Sequence, residues 1–87
     1  MKIFVSTRFL RDSKRIPKEA RKDIEKAVAT FVIDPHHPTL RTHKLAGALH
    51  GLWSFSVTYR LRIIFEFLDS THVRFHNIGD HSIYDER

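Results

Sequence analysis

The sequence predicts an α+β fold, one domain over residues 1–87, with two N-terminal helices packed on one face of a small, mostly antiparallel four-stranded sheet. Three observations predict it. An apolar stripe at helical spacing runs through residues 17–33, three stretches between 52 and 78 alternate with period two, and a short alternating run opens the chain. No repeat, linker or low-complexity tract divides the 87 residues.

Each element follows from local chemistry. Lys2 to Ser6 alternates Ile3 and Val5 against Lys2 and Phe4, as a short strand does. Thr7 is placed to cap a basic helix, RFLRDSKR, which ends near Ile16 because Pro17 disfavours helical geometry in its predecessor. Pro17 then suits the first position of a second helix, PKEARKDIEKAVATFVI. Ala20, Ile24, Ala27, Val28, Phe31 and Val32 form its buried stripe, and DPHHP stops it.

Three strands follow. Leu52 to Tyr59 sets Trp53, Phe55, Val57 and Tyr59 against Ser54, Ser56 and Thr58. Leu61 to Leu68 sets Leu61, Ile63, Phe65 and Phe67 against Arg62, Ile64 and Glu66. His72 to Ile78 sets Val73 and Phe75 against His72, Arg74 and His76. Such regular alternation means one face packs on the helices while the other meets water or a ligand. Keeping both apolar sets on one face requires an odd-length turn between the first two of these strands, such as Thr58-Tyr59-Arg60.

Composition bounds the function. Hydrophobic residues make up 41% of the chain and seven are Phe, enough for a packed core. With no cysteine, disulfides, thiolate metal sites and a Cys nucleophile are unavailable. No apolar run approaches the ~18 residues of a membrane span, and MKIFVSTRF reads as a strand rather than a signal peptide. A cytoplasmic protein with no membrane partner is the expectation. The net charge of +5 is uneven: residues 1–44 hold eleven bases and five acids, residues 45–87 four and five. That asymmetry suits a polyanion or an acidic protein partner, or else a solvated helix face bearing Lys18, Lys22 and Lys26.

The face turned away from the helices collects Ser54, Ser56, Thr58, Arg62, Glu66, Arg74 and His76, with little acid among them. Arginine binds phosphate oxygens in a planar fork, and histidine exchanges protons near neutral pH. RNA cleavage by transesterification needs a base for the 2′-OH, an acid for the leaving 5′-oxygen and a fixed cation, without a metal. His43, Arg62 and His81 supply those functions if the fold gathers them. The pair His36-His37 with His43 offers a metal-binding alternative, but histidines beside a proline without carboxylates read more simply as a loop, so no metal or other cofactor is expected. Trp53 fits core packing better than base stacking, and Tyr59 reads as core or turn. His50 and His72 read as surface residues at turns.

HKLAG at 43–47, GLWSFSV at 51–57, YRLRIIF at 59–65 and NIGDHSIY at 77–84 together resemble the RelE/ParE superfamily of toxins from type II toxin–antitoxin systems. The resemblance is nearest to the YafQ- and YoeB-like branch of ribosome-dependent mRNA endonucleases. It implies a RelE-like fold and four catalytic positions. His43 falls where that branch places a catalytic histidine or glutamate, Arg62 on the strand arginine that meets the scissile phosphate, His81 on a C-terminal acid or base, and Tyr84 near a terminal aromatic. Arg41, Lys44, Arg60, Arg74 and His76, with Lys18, Lys22 and Lys26, would contact RNA. The implied partners are mRNA on the ribosome and an acidic antitoxin that forms a hetero-oligomer with the toxin.

Two departures bear on this. The family often sets its terminal aromatic four residues after the histidine, whereas Tyr84 is three after His81. Where some relatives carry an aspartate and an aromatic, this chain has Arg60 and Leu61. The alternatives are a ParE-like toxin that inhibits DNA gyrase by binding, and an inactive relative that only binds an antitoxin or RNA.

Overall fold

A computed structural model describes residues 1–85, with backbone alone for His81 and Asp85. Strand β1 (Lys2–Val5) leads into helix α1 (Thr7–Ser13) and helix α2 (Arg21–Ile33). Strands β2 (His43–Lys44), β3 (Trp53–Ser56), β4 (Arg62–Phe67) and β5 (His72–Gly79) follow, and a 3₁₀ turn spans His81–Asp85. The sheet order is β1-β5-β4-β3-β2, with β1 parallel to β5 and the other pairs antiparallel. The sheet therefore has five strands, not four. The missed strand, β2, is two residues long, too short to carry a period of its own.

Helix boundaries differ from the sequence reading in three places, the first being that α1 ends at Ser13 rather than near Ile16. Ser6, not Thr7, caps α1: its Oγ accepts from Phe9 N at 2.9 Å and donates to His76 O at 2.6 Å. Pro17 precedes a 3₁₀ turn, Lys18–Ala20, before α2 proper begins at Arg21. The second helix stops at Ile33 because Asp34, which precedes Pro35, adopts an extended conformation.

Phe31 of α2 is the hub of the core. Its ring centroid lies 4.6 Å from Phe55, 4.9 Å from Phe65 and 5.7 Å from Phe75, so one side chain fastens the helix to β3, β4 and β5. Val32, counted in the buried stripe, is exposed instead, because the stripe narrows where α2 runs past the sheet. The β3–β4 loop has an odd length, as the alternation demands, but spans 57–61 rather than three residues. Phe55 thus faces Ile63 across the pair and Trp53 faces Phe65, all on the helix side. Tyr59 belongs to this loop and is 78% exposed, so of core and turn it takes the turn.

A bulge in β5 does the same job for the last strand. Ile64 pairs with Asn77 and Phe65 with Phe75, which leaves His76 as the extra residue. Phe75 and Ile78, three residues apart, can then both enter the helix-side core. The opposite face is not open, contrary to the alternation argument. Ser54, Ser56, Arg62, Ile64 and Asn77 are all buried there. The C-terminal turn packs over this face through Ile83 and Tyr84, beside Leu49 and Leu52. Gly79 permits the approach, since a Cβ there would overlap Ile83 Cγ2.

Candidate active site

The sheet register brings the proposed chemistry onto this covered face. His43 pairs with Ser54, Ser54 with Ile64, and Ile64 with Asn77. One step along the strands, Ser56 pairs with Arg62 and Arg62 with Gly79. Residues paired across antiparallel strands share a face, so His43, Ser54, Ser56 and Arg62 do as well. Two strand spacings of ~4.8 Å and a two-residue offset of ~6.8 Å along the strand put the His43 and Arg62 backbones about 12 Å apart. Tyr84 joins them from the C-terminal turn: its hydroxyl lies 2.6 Å from Ser54 Oγ. The shorter spacing from His81 thus still brings the aromatic against Ser54. His81 opens that turn, and its side chain lies outside the described residues.

Hydrogen bonding sets what each group can do. His43 Nδ1 lies 2.9 Å from Arg41 O. A carbonyl only accepts, so Nδ1 carries the proton and, in the neutral ring, the lone pair sits on Nε2. Arg62 is 8% exposed and donates from Nη2 to Tyr59 O at 3.0 Å, which fixes the guanidinium at the end of β4. Beside it lies a cavity of about 200 Å³ lined by Thr39, Arg41, Ser56, Thr58, Tyr59 and Arg62. Ser56 Oγ is buried there without a hydrogen-bond partner among the described residues.

Other predicted RNA contacts lie elsewhere. Lys18, Lys22 and Lys26 are exposed on the helix side, and Lys26 lines a second cleft that shares Thr39 and Ser56 with the arginine cavity. Lys44 sits 5.5 Å over the Trp53 ring, and Arg60 is exposed in the β3–β4 loop. Arg74 and His76 are at the far end of the sheet on Glu66, at 3.8 Å and 3.0 Å. That carboxylate, the one acid the alternation puts on this face, offsets charge there. His36 packs against Trp53 and Phe67, and His37 Nδ1 lies 2.9 Å from Thr39 Oγ1, so the histidine rings near the loop point to separate tasks. Among the described residues no three His, Asp or Glu side chains come together as a metal site would require. No helix is long and apolar enough to cross a membrane.

Thr39, which also lines the arginine cavity, has no sequence signal because it lies in an irregular segment where periodicity gives no placement.

No protein-family model and no curated protein matches the chain by sequence. Solved structures do match in shape. YafQ from E. coli strain BL21(DE3) superposes with a TM-score of 0.77 at 22% identity, covering 95% of this chain and 96% of that one. The chain has the fold of the YafQ and YoeB toxins. A YoeB/ParE toxin from Agrobacterium tumefaciens gives a TM-score of 0.76 at 18% identity over 93% and 99% of the two chains. The YoeB–YefM complex of Staphylococcus aureus gives 0.73 at 19% over 93% and 97%. The YafQ/YoeB fold here is thus nearly end to end in both chains, and its five-stranded sheet carries the His43–Arg62 face.

Proposed function

We propose that the chain is a type II toxin that cuts mRNA on the ribosome by metal-independent acid–base transesterification. The observation that carries this reading is the register that sets His43, Arg62 and, through Ser54, Tyr84 on one face. His43 Nε2 takes the proton of the 2′-OH, because Nδ1–H is committed to Arg41 O. The freed O2′ attacks phosphorus, the O2′–P bond forms and the P–O5′ bond breaks. Arg62 holds the charge that builds on the non-bridging oxygens, and its fixed guanidinium needs no reorganisation as that charge develops. His81 returns a proton to the leaving 5′-oxygen. Tyr84 orders the substrate against the sheet. The products are a 2′,3′-cyclic phosphate and a 5′-hydroxyl.

Similar structures include the DinJ–YafQ and YoeB–YefM complexes, which supports an acidic antitoxin as partner. Basic side chains on the helices, Lys18, Lys22 and Lys26, face ribosomal RNA or that antitoxin. Growth arrest on expression tests the reading. His43→Ala, His81→Ala and Arg62→Ala should each abolish arrest with the far-UV circular dichroism spectrum unchanged. Folded Arg62→Ala and His81→Ala variants that arrest growth fully would refute it.

A further inference from the structure

Tyr59 has no packing role that accounts for its position. It is 78% exposed, against 45% for Phe4, the next aromatic among the exposed large hydrophobics. Its loop is nevertheless well held. Val57 N and Thr58 N both donate to Leu61 O, at 2.8 Å and 3.2 Å, and Leu61 N donates to Thr58 Oγ1 at 3.1 Å. The Tyr59 carbonyl accepts from Arg62 Nη2 at 3.0 Å, so the ring and the guanidinium belong to one pinned unit.

The cavity below this ring is built for an anion. Arg41 and Arg62 both line it. Arg41 holds φ at +52°, a left-handed conformation uncommon for a residue with a side chain and one that clusters at functional sites. Ser56, 7% exposed, also lines the cavity, and its Oγ is buried with no partner among the described residues. A buried hydroxyl in that state is costly until something accepts its proton. Two arginines, a buried hydroxyl without a partner among the described residues and an exposed aromatic match the parts of one nucleotide. An acidic peptide would use the two arginines and leave the ring idle.

We propose that the cavity formed by Arg41, Ser56 and Arg62 takes a phosphate of single-stranded RNA and that Tyr59 stacks the adjacent base. This rests on the nuclease reading and adds to it a residue that holds the base beside the phosphate. Stacking tolerates every base but favours those with the larger π face.

The test is an NMR titration of the full chain with a 2′-O-methyl trinucleotide, which has no 2′-OH and cannot be cleaved. Tyr59 ring protons should move upfield while the Ser56 amide also shifts. Tyr59→Ala should weaken binding about tenfold, the factor expected for one lost base–aromatic stack, and Tyr59→Phe should restore it to within about twofold. Shifts at Ser56 and Arg62 with the Tyr59 ring unmoved would overturn the platform and leave the nuclease reading intact. Binding of a glutamate-rich peptide in the cavity, with none of the trinucleotide, would overturn the site as an RNA site. Conversely, Tyr59-dependent binding without cleavage on ribosomes would uphold the site and strike the nuclease reading alone.

Discussion

The hydroxyls of Ser54 and Tyr84 lie 2.6 Å apart and join the C-terminal turn to the middle of the sheet. Ser54 is fully buried, so losing this partner leaves a polar atom in a dry setting. Tyr84→Phe should therefore destabilise the fold by about 1–2 kcal/mol. The double variant with Ser54→Ala should recover part of that loss, because no orphaned hydroxyl remains. Urea denaturation of the four forms measures the coupling directly.

Ser6 acts at a second junction, where one hydroxyl both caps α1 and holds the carbonyl of the bulged His76. Losing a helix cap and a tertiary hydrogen bond together should make Ser6→Ala cost about 2 kcal/mol. Ser13, whose Oγ donates within α1 to Leu10 O, is the control, and Ser13→Ala should change stability by less than about 0.5 kcal/mol. A thermal melt of both variants separates them.

Gly79 tests whether the C-terminal turn must sit on the sheet. A Cβ at this position collides with the Ile83 side chain, and Gly79 pairs with Arg62 in the register. Gly79→Ala should cost about 1–3 kcal/mol, the range for overpacking a closed site. It should also move the Tyr84 ring signals in an NMR spectrum while leaving those of Phe31 in place.

Far from the site, Asp69 organises the β4–β5 turn. The Thr71 amide, then the His72 ring at 2.9 Å, hold its carboxyl at about 2, below the ordinary 3.8. A folded value below the unfolded one means its contribution is fully present above the unfolded pKa of ~3.9. That contribution is lost as pH falls from about 4 towards 2. Carbon-detected titration of the Asp69 carboxyl should show a midpoint near 2, and Asp69→Ala should flatten the stability profile in that window.

The alternation at 53–57 and 61–67 was enough to place Phe55 opposite Ile63 and to demand an odd loop, because period two is a local property of strands. Phe31 was readable as core for the same reason at helical spacing. What escaped the sequence depends on distant chain. His43–Lys44 becomes a strand only because β3 offers it an edge. Ser54 is buried because the C-terminal turn brings Tyr84 over a face whose polarity reads as solvent-facing. The alternation runs on to Tyr59, past Ser56, where the strand itself ends, so periodicity alone left Tyr59 open between core and turn. Arg62 was legible from the polar face of its strand and His43 as a nearby proton carrier; family resemblance sharpened both roles, and the register sets the two on one face.

The central claim is that this face cleaves RNA. Purified protein on ribosomes programmed with a defined mRNA, followed by mapping of new 5′ ends, tests it most directly. The account predicts discrete cuts carrying 5′-hydroxyl ends, reduced at least ~100-fold by Arg62→Ala. Intact mRNA with a folded protein, beside inhibition of DNA gyrase supercoiling, would contradict it.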